Sequence, residues 1–414
     1  MKIALAAKSV YPFHPFGGVQ KYVYYFAKAL TRKGVDVEII APLDDGPART
    51  ETYEGLKYTF IRPAIYKYLE YPVGWLGVHL FSWSLSRYLK NKDFDLLHAF
   101  DMAGYAYLKR QSRKPVVVQV FTDNYLSNPI TLKDTANLIA SGFKKIKEEK
   151  VRITPFSSGA VKRRYLLQYL FKIKPMYSCF NDGDRIFFED EIFHQEVREL
   201  YRLKEDKGAV VPVGVDIRAV DDQLKEEGIT RGKLGLKSDD IVLISVNRLA
   251  ADKGIDKIVL ALEALRKKDD RLKLLIVGSG YQEKELLEII RQKGLEAHVR
   301  HYKNVPEEKL YHYYNICDIY ICAFSFPGSS ISTLEAMACS LPVITTAQPW
   351  LVREGENGVV LNSNSPQAIE RAVAELTARG GLKERGRISR EIVAGFDWAP
   401  IAERALEQYK ELVT

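Results

Sequence analysis

The chain has 414 residues, 46% of them hydrophobic and 28% charged, with a formal charge of +8. That balance is typical of a folded soluble protein of about two domains and excludes a disordered or fibrous chain. No uncharged apolar run reaches the roughly 18 residues of a membrane-spanning helix, and residues 1–8 lack the length and cleavage site of a secretory signal, so a cytoplasmic protein is expected. Cys179, Cys317, Cys322 and Cys339 are scattered, with no Cys-x-x-Cys pair. Neither a zinc site nor a disulfide framework is indicated, and the thiols read as small buried hydrophobes. The positive charge is compatible with nucleic acid, an anionic membrane surface or a negatively charged nucleotide substrate. No nucleic-acid motif accompanies the basic runs around Lys144, Lys145, Lys147, Lys150, Arg152 and Lys162 to Arg164, so nucleic acid is not an expected partner.

In chain order, residues 2–6 read as a strand and 22–32 as a helix with Val23, Phe26, Ala27 and Leu30 on one face. Gly17 and Gly18 lie between them, and 35–41 is the next strand: a βαβ unit with a glycine loop at its first switch. The loop is not Gly-x-Gly-x-x-Gly, so the dinucleotide fingerprint is absent. Residues 53–62 form a strand or hairpin, and from Trp75 an aromatic-rich amphipathic helix packs on the sheet. Strands follow at 94–100, ending near His98, and at 115–121, before a loop with Asp123. Residues 131–172 look helical. A short strand is expected at 175–180, a turn at 181–184, a helix at 188–203 and a strand at 209–216.

The pattern then restarts. After a charged connecting segment at 221–234, residues 241–246 form an apolar strand of the kind buried on both faces. Arg248 and Lys253 share the loop that follows, with a helix at 255–267. A strand at 272–277 ends in Gly278, Ser279 and Gly280, and a helix covers 282–293. Further elements are a strand at 299–302, a helix at 306–316, a strand at 319–323, a helix at 334–339 and a strand at 341–346. Residues 240–397 thus make a second, more regular α/β unit. Residues 398–413 close the chain as an amphipathic helix with Ile401, Ala405, Leu406, Tyr409 and Leu412 inward. The expectation is two Rossmann-like domains facing each other across a cleft, with strand-end loops lining it.

Arg248 and Lys253, two cations on a loop behind a buried strand, suit a diphosphate: Arg grips phosphate oxygens bidentately and Lys acts as a point charge. Gly278 and Gly280 would let a base or ribose approach the backbone. The loop with Ser329, Ser330 and Ile331 opens a helix whose first N–H groups suit phosphate, and Glu335 lies within that helix. Gly17 and Gly18 could admit a phosphate or sugar close to the backbone. His98 either faces the mouth or is a packed, hydrogen-bonded core residue. No Ser/His/Asp order and no metal-ligand spacing occurs.

These residues occur in an order and spacing that resembles a known family: Gly17-Gly18 after the first strand, Arg248 with Lys253-Gly254, Gly278-Ser279-Gly280, and Leu334-Glu335-Ala336-Met337-Ala338 before Pro342-Val343-Ile344. The chain resembles the retaining glycosyltransferases of family 4, which have the GT-B fold. The ending Phe396-Asp397-Trp398 resembles the start of that family's final crossing helix. The resemblance implies an N-terminal domain of residues 1–213 completed by 398–414 on the acceptor side, and a donor-side domain of 214–397. It implies transfer of a sugar from a nucleoside diphosphate to a hydroxyl of a glycan, lipid-linked or small-molecule acceptor, with retention, no metal and no cofactor beyond the nucleotide sugar. Arg248 and Lys253 would stabilise the leaving diphosphate. Glu335 would hold the ribose, and Gly18 would leave room near the phosphate or acceptor. Ser329, Ser330 and Ile331 would offer N–H groups, with His98 and Asp123 as candidate acceptor or sugar contacts.

Three positions depart from the family pattern. Pro327 stands where the first carboxylate of the Glu-x7-Glu pair falls, Phe121 where a histidine is usual, and Val213 where asparagine is preferred. They motivate a second reading, a catalytically weakened relative that binds a nucleotide sugar or glycan or serves as a partner subunit. A third is another GT-B class, such as a phosphorylase or epimerase. The basic runs beside Tyr165, Leu166, Tyr169 and Phe171 resemble the surface of relatives with lipid-linked acceptors, which would place the protein at the inner face of the membrane.

Overall fold

The computed structural model describes residues 1–14, 17–43, 46–61, 74–121, 171, 174–201, 203–325 and 328–413. The expected helices at 131–172, Asp123, the basic runs and Pro327 lie outside the described residues. The chain divides into two compact units, Met1–Pro212 with Ala399–Thr414, and Val213–Trp398.

The first unit holds an eight-stranded sheet in the order β3-β4-β2-β1-β5-β6-β7-β8. Its strands are β1 (Lys2–Ala6), β2 (Asp36–Pro42), β3 (Arg49–Tyr53), β4 (Leu56–Ile61), β5 (Leu96–Phe100), β6 (Val116–Gln119), β7 (Arg185–Phe188) and β8 (Gly208–Val210). Only β3 and β4 pair antiparallel, as a hairpin. In register, Leu5 sits beside His98 and His98 beside Val117. Alternation along the strands then assigns the faces. Ala4, Leu97, Ala99 and Val118 pack with Phe81 and Leu85 of the helix Gly74–Tyr88 and with Cys179 and Phe180. On the opposite face, His98 meets Phe26 of the helix Gly18–Arg32 and Tyr409 of the closing helix Trp398–Val413. That closing helix buries Ile401, Ala402, Ala405 and Tyr409, while Leu406 and Leu412 are only partly covered.

The second unit holds a six-stranded parallel sheet in the order β11-β10-β9-β12-β13-β14. Its strands are β9 (Ile241–Val246), β10 (Leu272–Val277), β11 (Val299–Tyr302), β12 (Ile319–Cys322), β13 (Val343–Thr345) and β14 (Gly358–Val360). The order runs one way from β9 to β11 and the other way from β12 to β14. The switch point therefore lies between β9 and β12, where open α/β sheets bind ligands beyond the strand ends.

Several expectations need correction. Residues 175–180 belong to a helix, Lys174–Asp182, rather than a strand. Met176, Cys179 and Phe180 are buried at helical spacing, and Pro175 falls in the first turn, where its missing N–H costs nothing. The strand of this region is Arg185–Phe188, between the expected turn at 181–184 and the expected helix at 188–203, and the helix that follows is Glu191–Tyr201. The strand expected at 209–216 is only Gly208–Val210. The charged segment at 221–234 begins inside a helix, Ile217–Lys225, capped by Asp216, whose Oδ1 accepts the Ala219 N–H at 3.0 Å. Strand β14 and the helices Pro366–Arg379 and Leu382–Val393 fall in stretches the sequence pattern left unassigned.

Candidate active site

The loop after β9 is held in place before it can hold anything else. Leu249 N–H donates to Ser279 O at 2.9 Å, and Gln282 N–H to Leu249 O at 3.2 Å. The exposed Tyr281 reaches over so that its hydroxyl accepts the Ala251 N–H at 3.0 Å. Gly278 and Gly280 make this packing feasible. A Cβ at Gly278 would stand 2.0 Å from Asn247 O and one at Gly280 2.2 Å from Leu249 O. The space a side chain would take at these glycines is filled by the backbone carrying Arg248, so their first task is to buttress that loop.

A short 3-10 turn, Ala251–Lys253, ends the loop, and Gly254 follows in the left-handed region at φ +63°. Its missing Cβ would lie 2.1 Å from Ala323 O, so the chain passes directly over the end of β12. Ser325 N–H donates to Asp252 O at 2.8 Å across the same junction. The two strand-end loops at the switch point are thus fastened together.

On this frame Arg248 is well exposed, whereas Lys253 is almost covered. The Lys253 ammonium lies 3.8 Å from the centroid of the Phe324 ring, a cation–π contact, and 3.3 Å from Asp252 Oδ2. Arg248 Nη2 is 3.9 Å from Asp252 Oδ1. Asp252 thus sits between the two cations, a counter-charge that a phosphate would displace or share. Neither Asp252 nor Phe324 carried any sequence signal.

The helix Ile331–Ala338 starts at the far side of the β12 loop. Ser330 is its cap: its Oγ accepts the Thr333 N–H at 3.2 Å. The Ser330 N–H is itself committed, donating to Gln348 Oε1 at 2.9 Å. The expectation that Ser330 offers its N–H to a ligand is therefore corrected, because a buried amide takes that donor. The Ser329 Oγ is buried with no hydrogen-bond partner among the described residues. Further into the helix, Glu335 is buried and accepts from the Tyr314 hydroxyl at 3.0 Å. Burial, and then the nearby Glu335 carboxylate, pushes the Tyr314 phenol well above its ordinary pKa, so it stays a neutral donor. Tyr314 locks the orientation of Glu335 from a different helix, Glu307–Asn315.

Gly17, Gly18 and His98 belong to the first unit. Gly17 precedes the helix in an extended conformation, and its carbonyl accepts the Lys21 N–H at 3.1 Å. Gly18 is the first helical residue, at the strand end of β1 where the first sheet changes direction. His98 is fully buried, and burial lowers its pKa to about 3. Its Nδ1 hydrogen-bonds to the Tyr409 hydroxyl, and its ring stacks on Phe100 at 4.7 Å. The structure gives His98 to the core instead of a ligand-facing mouth. Phe121 is also packed, 5.1 Å from Tyr22 and stacked on Phe100 at 6.1 Å. Asp123 lies outside the described residues.

Fold and strand-end geometry together define a two-unit α/β protein with a pair of fastened loops, carrying Arg248 and Lys253, at the switch point of its second sheet. Comparison with known proteins supplies the family. The profile of Glycosyltransferase Family 4 matches residues 16–219, and that of Glycosyl transferases group 1 matches residues 227–391. Between them they span nearly the whole chain, and the chain belongs to the family 4 glycosyltransferases with the GT-B fold. An uncharacterized glycosyltransferase of Methanocaldococcus jannaschii is 23% identical over 99% of this chain and 98% of its own. Against several other curated relatives the chain spans about half their length. One is the D-inositol 3-phosphate glycosyltransferase of Nocardia farcinica, 27% identical over 55% of this chain and 52% of its own. Among solved structures, the catalytic domain of Starch Synthase IV from Arabidopsis thaliana bound to ADP and acarbose superposes with a TM-score of 0.73. That match has 17% identity and covers 100% of this chain and 99% of that one. Among the described residues no helix is long and apolar enough to cross a membrane.

Proposed function

We propose that the protein is a retaining, metal-independent glycosyltransferase that moves a sugar from a nucleoside diphosphate to an acceptor hydroxyl, with Arg248 and Lys253 receiving the leaving diphosphate. The observation that carries this reading is the loop Asn247–Gly254. It is fixed on both sides by backbone contacts and presents one exposed and one nearly buried cation around a single carboxylate. In the reaction the bond between the anomeric carbon and the diphosphate oxygen breaks, and its electron pair leaves with the diphosphate. The acceptor oxygen bonds to the same carbon on the same face, and the acceptor proton passes to the departing phosphate oxygen. Charge grows on that oxygen, and fixed cations there stabilise the transition state more than the ground state. A guanidinium and an ammonium supply the positive charge that other enzymes take from a metal. Glu335, oriented by Tyr314, is the ribose anchor, since a carboxylate can accept both vicinal hydroxyls.

Incubation of the purified protein with UDP-, GDP- and ADP-sugars and a panel of glycan and lipid-linked acceptors tests this reading. It predicts nucleoside diphosphate release that depends on an acceptor, persists in chelator and gives a product with the donor's anomeric configuration by NMR. Absence of release with every donor, or activity lost in chelator and restored by a divalent cation, contradicts it.

A further inference from the structure

Gln348 is an unusual residue in an unusual place. It follows β13, is 2% exposed and has φ 49°, ψ 54°, the left-handed conformation that a side chain disfavours. Pro349 comes next, and a residue before proline is pushed towards extended geometry, so the backbone here is disfavoured twice. Such conformations persist where the surroundings over-determine them, and they gather at functional sites. The surroundings do so here. The Thr345 hydroxyl donates to Ala347 O at 2.7 Å and accepts the Ala347 N–H at 2.9 Å. The Thr346 hydroxyl donates to Phe324 O at 3.0 Å, tying the β13 loop to the residue beneath Lys253. The twisted backbone then delivers the Gln348 amide to the Ser330 N–H, at the N-terminus of the helix that carries Glu335.

We propose that Gln348 is a positioning residue for the nucleotide-sugar site: its strained backbone is held so that its side-chain carbonyl fixes Ser330 and thereby sets the first turn of the helix that carries Glu335 towards the ligand. This rests on the reading of the switch-point loops as the donor site. Gln348 binds nothing itself.

The test compares Gln348→Gly and Gln348→Asn with the wild type in the full-length protein. Gly relieves the left-handed strain, and Asn tolerates that conformation but is too short to reach Ser330. UDP, GDP and ADP binding by calorimetry, donor kcat and KM, and Tm are measured together. The proposal predicts that both variants stay folded with Tm within about 4 °C of wild type, because relieved strain offsets the lost hydrogen bond. Donor kcat/KM falls about tenfold, in line with one lost buried contact. Wild-type binding and turnover in both variants overturn it. So does a collapse of Tm in both with turnover per folded molecule unchanged, which would make Gln348 a purely structural residue. Arg248→Ala is run alongside. If it leaves nucleotide binding intact, the site reading itself fails. If it abolishes binding while the Gln348 variants bind normally, only the present inference fails.

Discussion

In the first unit, the ends of β5 and β6 are closed by aromatic packing: Phe100 and Phe121 stack at 6.1 Å, and His98 is sealed beneath them against Tyr409. In the second unit, the ends of β9 and β12 are closed chiefly by close backbone contacts at Gly254, Gly278, Gly280 and Ser325, helped by the hydroxyls of Tyr281 and Thr346. The side chains there are left to carry charge. Both sheets are doubly wound and mostly parallel. The difference lies in what holds the strand-end loops. Where side chains are the fastening, they cannot also meet a ligand. Where glycine lets the backbone do the fastening, the side chains of the loop, Arg248 above all, are not spent on it; on the proposed reading that leaves them for the diphosphate.

The largest effect that comparison predicts is at the cations. Arg248→Ala and Lys253→Ala should each lower kcat/KM for the donor by about 100-fold to 1000-fold, as loss of a transition-state charge contact does. Circular dichroism and Tm should stay close to wild type for Arg248→Ala, whose side chain is exposed. Wild-type activity in both variants would remove the contrast between the two units.

Next come the fastenings. Gly280→Ala brings a Cβ within 2.2 Å of Leu249 O and should cost about 2–3 kcal/mol in urea unfolding. Unchanged stability would mean that the loop is not held in the way described.

In the first unit the prediction concerns pH. His98 is fully buried and its pKa is lowered to about 3 by burial, against 6.5 in the unfolded chain. The unfolded chain therefore binds an extra proton between those values. The stability from neutral His98 is fully present above pH 6.5 and is lost as pH falls, by up to about 1.4 kcal/mol per pH unit. Replacing it as His98→Gln should flatten the slope of unfolding free energy between pH 6.5 and 4.5 while leaving donor KM within about twofold. An unchanged slope contradicts the core assignment, and a large change in KM would return His98 to the site. The smallest effect is Tyr409→Phe, which removes the hydroxyl that meets His98 and should cost about 1 kcal/mol of stability without altering turnover.

Much of the second unit could be read from sequence because its central strands are largely apolar runs with glycine punctuation. The bounds of β9, β10 and β11 coincide with the strands expected at 241–246, 272–277 and 299–302. The region at 175–188 could not be read in that way. Pro175, Met176 and Phe180 fit either a short strand or a helix, and only tertiary packing decides for the helix. At the candidate site, charge and spacing single out Arg248, Lys253 and Glu335 by residue type, and the structure puts the first two on one loop at the switch point. Asp252, Phe324, Tyr314 and Gln348 are not singled out, since each acts through geometry that one sequence does not display. Gln348 in particular hides a left-handed backbone behind a residue type that rarely adopts it. The glycines misled in an instructive way. At Gly278 and Gly280 the sequence suggests room for a ligand, and the structure uses that room for the neighbouring loop.

The most direct test of the account is calorimetric titration of the wild type and Arg248→Ala with UDP, GDP and ADP. The wild type should bind at least one of them below about 1 mM, and Arg248→Ala should weaken that binding about tenfold or more, the worth of a charge-assisted contact. Binding that is absent for all three, or unchanged in the variant, would contradict the assignment of the β9 loop as the diphosphate site.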